Sequence, residues 1–109
     1  MAASLRGSAV KRIPKTFQLY GHTVTVSIVN KRDWDALTDD YDIEGAVGAW
    51  RVEDNAIVLL KQPRTQLMHT FAHELTHAIL DMMNDKLSHN EKWVDQFAGL
   101  LAQAFDTAR

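Results

Sequence analysis

The chain has 109 residues, 46% of them hydrophobic and 24% charged, which suits one small folded domain and excludes a multidomain machine or a disordered acidic tail. No apolar run reaches eighteen residues and the start, MAASLRGSAVKRIPK, has no apolar centre, so neither a membrane span nor an export signal is expected and a cytoplasmic, membrane-free protein is anticipated. There is no cysteine, so a bound metal must take histidine and carboxylate ligands. The net charge of -2 conceals an asymmetry: residues 1–32 carry six bases and no acid, and residues 33–109 carry six bases against fourteen acids.

In chain order, residues 1–15 are expected to be a basic tail, and residues 16–109 a single domain. The tail lacks interleaved aromatics, and the acidic remainder opposes nucleic acid, so no such partner is expected. From Phe17 the pattern has period two, with Val24, Val26 and Ile28 on one face, and predicts a β-hairpin with its tip at Gly21-His22. Asp33 is placed to cap a short helix through Trp34 and Leu37. An acidic loop follows, Thr38 to Gly45. Residues 46–52 and 56–60 flank Glu53-Asp54-Asn55 and predict a second hairpin.

Pro63, with Thr65 as candidate cap, opens a helix to about Asn84, with an apolar stripe of Met68, Phe71, Ala72, Leu75, Ile79 and Met82. After a connection at Asp85–Ser88, a last helix is predicted from about His89 to Phe105, with Trp93, Phe97, Leu100, Leu101 and Ala104 on one side. Strands first and helices second predict an α+β fold, a small, mainly antiparallel sheet packed on two helices. Trp34, Trp50 and Trp93 are expected in the core.

The first long helix contains His73-Glu74-Leu75-Thr76-His77, an HExxH pattern. Four helical residues advance about 6 Å and overshoot a turn by about 40°, so both imidazoles project from one face and can grip one ion. Glu74 sits about 100° round the helix, beside such an ion rather than on it, where it can take a proton from water. Chance alone yields the pattern in very roughly one in several hundred chains of this length, so a third ligand is the deciding feature. The metzincin pattern would place a glycine and a histidine where Leu80 and Met83 stand, and is excluded. On the last helix Glu91, Asp95, Ala98 and Ala102 fall within about 60°, away from the Trp93/Phe97/Leu100 stripe. Two small residues beside two acids let another helix come close, with the acids facing its histidines. Glu91 is therefore assigned as third ligand, and Asp95 as acceptor for the outer N–H of a ligating histidine.

HELTH and NEKWVD together resemble the gluzincins, zinc peptidases with HExxH followed by NExxxD. The 13-residue spacer between His77 and Glu91 is similar to the compact minigluzincins, and EKWVDQFAGLL is similar to the acid-rich, Leu-rich helix of the ImmA/IrrE metallopeptidase type. The resemblance covers about residues 65–105. It implies a zincin-like fold, one zinc ion (Zn2+) per chain, Glu74 as general base and hydrolysis of an extended peptide or protein substrate. The larger gluzincins also stabilise an oxyanion with a His or Tyr; His69, His89 and Tyr41 are the candidates here. Residues 46–52, lightened by Gly45 and Gly48, are the expected substrate-edge strand. The alternative is a metal-binding but inactive or latent homologue acting by interaction in a phage or regulatory setting. Substrate specificity and oligomeric state are left open.

Overall fold

A computed structural model describes residues 13–38 and 46–108. The expectations for the basic tail before residue 13, for the acidic loop and for Tyr41 lie outside those residues.

Strands β1 (Thr16–Leu19) and β2 (His22–Val29) form the predicted hairpin, with Leu19 opposite His22. The turn is Tyr20-Gly21, one residue earlier than the sequence pattern placed it. Both residues have positive φ, 51° and 76°, the backbone twist that a two-residue hairpin turn requires. Helix α1 (Lys31–Thr38) follows, capped by Asn30, whose Oδ1 accepts from the Asp33 N–H at 2.8 Å; Asp33 is therefore a first-turn acid and not the cap. Trp34 is the residue α1 buries. Strands β3 (Gly48–Arg51) and β4 (Ala56–Leu60) form the second hairpin, and Asn55 at φ 49° supplies the left-handed residue of the turn.

The two hairpins merge into one sheet of order β1-β2-β4-β3, and the junction between β2 and β4 is parallel, with Thr25 opposite Ala56 and Val29 opposite Leu60. The sheet is thus mixed, with antiparallel outer pairs around a parallel centre. Burial explains the centre. Ile57, Val58 and Leu59 are consecutive buried residues, so β4 is covered on both faces, as parallel-paired strands are. Ile57 and Leu59 join Val24 in the main core with Met68, Phe71 and Ala72.

Helix α2 (Arg64–Met82) starts after Pro63 with no side-chain cap, so Thr65 does not serve as one. Its end is a Schellman motif: Asn84 at φ 54°, its N–H on the Asp81 carbonyl, and the Asp85 N–H on the Leu80 carbonyl, both 2.9 Å. Asp85 then accepts from the Leu87 N–H and caps a 3₁₀ turn, Lys86–His89. Asn90 caps helix α3 (Glu91–Thr107) by accepting from the Trp93 N–H, so the helix begins at Glu91, two residues later than the periodicity suggested.

Helix α3 packs by the small-residue side that was expected to let another helix come close, and not by its larger apolar stripe. Val94, Ala98 and Ala102 are buried, whereas Phe97 and Leu100 face outward. Close approach to α2 demands small residues, and the alanines join Ala72 of α2 in the core cluster. On α2, Met68, Phe71 and Ala72 are buried as expected, while Ile79 lies at the surface. Of the three tryptophans Trp34 is buried; Trp50 and Trp93 are half-buried.

Candidate metal centre

The histidine pair is a product of α2. His73 and His77 stand one turn apart with ring centroids 5.0 Å from each other, half-buried against the start of α3. Because Asn90 caps α3, Glu91 is its first helical residue and its side chain reaches both rings. His73 Nε2 lies 3.1 Å from Glu91 Oε2, and His77 Nε2 lies 2.8 Å from Glu91 Oε1. The three donors lie within 4.8 Å of one another, and this group can hold a metal ion.

The outer nitrogens are also occupied. His73 Nδ1 is 3.4 Å from Asp95 Oδ1, the partner expected for a ligating histidine. His77 Nδ1 is 3.2 Å from the hydroxyl of Ser88, a buried residue of the 3₁₀ turn. With Ser88 accepting from Nδ1–H, the Nε2 lone pair is left for a cation. Sequence reasoning did not find Ser88: no motif marks a serine whose importance comes from a turn folding it back under α2. Tetrahedral zinc ligands at about 2.0–2.1 Å stand roughly 3.3 Å apart; the two N–O spacings, each to a different oxygen of Glu91, lie within a few tenths of an ångström of that. The donor set of two imidazoles and a carboxylate therefore fits a first-row divalent metal in number, convergence and outer support.

Glu74 lies on another side of α2, under β3. Its side chain is 9% exposed, and burial pushes its carboxyl up to about 7; His73 and a hydrogen bond from the Trp50 backbone N–H pull it down, and the Glu91 charge pushes it up. That hydrogen bond follows from strand register. Val47 accepts from the Leu60 N–H, so alternate residues 47, 49 and 51 turn their backbone groups toward β4, and those of Gly48 and Trp50 turn outward. The Trp50 indole N–H donates to Asp81 Oδ2 at 2.9 Å, so one residue of β3 ties down both Glu74 and the next turns of α2.

Gly48 has a different role from the one its position suggested. A Cβ there would lie 2.5 Å from Thr70 Cγ2 and 3.1 Å from Glu74 Cγ, so the absent side chain lets β3 settle directly on α2 over the acid. Gly45 falls outside the described residues.

The other candidates are not metal donors, although His69 meets the same Asp95 oxygen as His73. His69, one turn before His73, places its Nε2 3.3 Å from Asp95 Oδ1 and is not among the converging donors. His89 closes the 3₁₀ turn, exposed and also outside the donor group. No helix among the described residues is long and apolar enough to cross a membrane. No family model, curated protein or solved structure matches the chain.

Proposed function

We propose that this chain is a zinc-dependent peptidase of the gluzincin type, with His73, His77 and Glu91 holding the metal and Glu74 acting as general base. The observation that carries this reading is the placement of a buried carboxyl of raised pKa, next in sequence to His73, beside two imidazole nitrogens that converge on a second carboxylate, that of Glu91. Zinc in such a site supplies a Lewis acid for a peptide carbonyl and lowers the pKa of water at its open position toward about 7.

The chain's own residues do the rest. Glu74, buried beside His73, is the carboxylate placed to accept a proton from attacking water and pass it to a leaving amine. The Trp50 N–H orients one Glu74 oxygen, and Gly48 lets the strand lie close enough to do so. Asp95 and Ser88 keep the two imidazoles aimed at the same point. Strand β3 has no further strand beside it among the described residues, and the outward backbone groups of Gly48 and Trp50 suit an extended peptide added along that edge, the Trp50 N–H being shared with Glu74.

The test is elemental analysis of the purified protein together with cleavage of a broad peptide library. Wild-type protein should hold about one zinc per chain and cleave. Glu74→Gln should keep the metal and lose cleavage by at least two orders of magnitude, and Glu91→Ala should lose the metal. Full cleavage by Glu74→Gln would refute its role. A second reading, a metal-binding chain that does not hydrolyse and acts by interaction, draws support from the 69% exposure of the Glu91 side chain, which leaves the centre broadly open on that side. Stoichiometric metal with no cleavage across the library would favour it.

A further inference from the structure

Helix α3 carries on its outer side an apolar stripe that the other described elements leave largely exposed. Trp93, Phe97, Leu100 and Ala104 recur at spacings of four, three and four, the narrow seam by which one helix packs along another. Phe97 is 43% exposed and Leu100 69%, and Phe105 beside them is 50% exposed. Trp93 and Phe97 are stacked, centroids 5.2 Å apart and 6° from parallel, so the aromatic end of the seam is already ordered.

Charge avoids this side of the helix. Measured round α3 from Phe97 at 100° per residue, Glu91, Lys92, Asp95 and Asp106 all fall about 120° or more away. The seam is flanked by Gln96 and Gln103 on one side and by Val94 and Leu101 on the other. A solvated helix face is normally laced with Lys and Glu, and here three turns have none.

We propose that α3 pairs with α3 of a second copy of this chain, antiparallel about a two-fold axis between Phe97 and Leu100. This register is self-complementary in volume. Trp93 meets Ala104 of the second copy, the largest residue of the seam against the smallest, and Phe97 meets Leu100 of the second copy. It brings Gln96 beside Gln103 of the second copy, and no like charges oppose each other. The exposed fractions of Phe97, Leu100 and Phe105 amount to about 300 Å² per chain. With Trp93, Leu101 and Ala104 alongside, over a helix about 25 Å long, a pair hides roughly 1,000 Å², the lower end for a specific interface. The dimer is therefore reversible and concentration-dependent. Glu91 and Asp95 point to the other side of α3, so pairing leaves the metal centre open and does not depend on its occupancy.

The test is sedimentation equilibrium of the full chain from low micromolar to several hundred micromolar, with circular dichroism and thermal melting on the same samples. The mass should rise from 12.3 kDa toward twice that value. Leu100→Glu should remain at 12.3 kDa throughout, with a melt that matches that of the dilute wild type at every concentration, since it replaces an exposed side chain. The absence of native cysteine allows the register to be checked directly: Gln96→Cys mixed with Gln103→Cys should give a disulfide-linked heterodimer on mild oxidation, in preference to either variant alone. Several results would overturn the proposal. A monomer at the highest concentration does so: if Leu100→Glu then lowers the melting temperature, the stripe is covered by the chain itself, and if it does not, the face belongs to a different partner. A dimer that survives Leu100→Glu, or one without the mixed cross-link, places the interface elsewhere or in another register.

Discussion

Replacing Glu74 by glutamine should change how the metal-free protein responds to pH, and the size of the change follows from where the carboxyl is buried. In the unfolded chain Glu74 titrates at the ordinary 4.5, and in the folded chain at about 7. Below pH 4.5 the group is protonated in both states and costs nothing. As pH rises from 4.5 to 7, the unfolded chain releases the proton while the folded chain holds it, so stability falls; above 7 the loss is complete. Its full size is roughly 3 kcal/mol, most of it between pH 5 and pH 8. Glutamine has no proton to lose and can still accept the Trp50 N–H. Urea unfolding of both proteins in chelator at pH 5, 6, 7 and 8 should therefore show Glu74→Gln gaining on wild type by about 2 to 3 kcal/mol across that range. Titrations of groups that do not interact with Glu74 are shared by both proteins and drop out of the difference, whereas His73 and Glu91, which feel its charge, contribute to it. A difference that stays flat with pH would mean that the carboxyl is solvated in the folded protein, and the acid–base assignment would lose its physical basis.

Gly48→Ala should destabilise by about 1 to 3 kcal/mol in the same assay, because the new methyl meets Thr70 Cγ2. Adding Thr70→Ser, which removes that carbon, should recover part of the loss, and strictly additive effects would show that the close approach is not the cause. Ser88→Ala should weaken zinc binding by about tenfold in a chelator competition while leaving the fold intact, and an unchanged affinity would remove Ser88 from the support of His77. Zinc at about a thousand times its dissociation constant should stabilise the wild type by about 4 kcal/mol, reversed by chelator and absent in Glu91→Ala; equal stabilisation of that variant would mean that zinc binds elsewhere.

What could be read from the sequence was what depends on neighbours along the chain. His73, His77 and Glu74 are fixed relative to each other by the geometry of a single helix, and Glu91 and Asp95 by that of another, so their convergence could be anticipated from helical wheels. The parallel pairing of β2 with β4 could not, because residues 25–29 and 56–60 meet only after α1 and β3 have intervened, and hairpin patterning reports only adjacent partners. The Ala98/Ala102 side of α3 was legible as a site of close helix approach because the spacing between two helices selects for size; that the larger Phe97 and Leu100 stay exposed was not. Gly48 was legible only as a residue that lightens a strand; the close approach it permits was not, because Thr70 and Glu74 lie on a different element.

The segment between α2 and α3 is tied at every step: Asn84 turns the chain out of one helix, Asp85 holds the next turn, and Asn90 starts the other helix. Such a tether has no slack. One residue inserted between Asn84 and Asn90 would have to break a cap or shift the start of α3, and a shift of one helical position swings a side chain by about 100°. The length of this connection therefore acts as a ruler for where the Glu91 carboxylate meets the two histidines. Loops are ordinarily where chains gain and lose residues, but here the number of residues between His77 and Glu91 is as much a part of the site as the side chains at its ends.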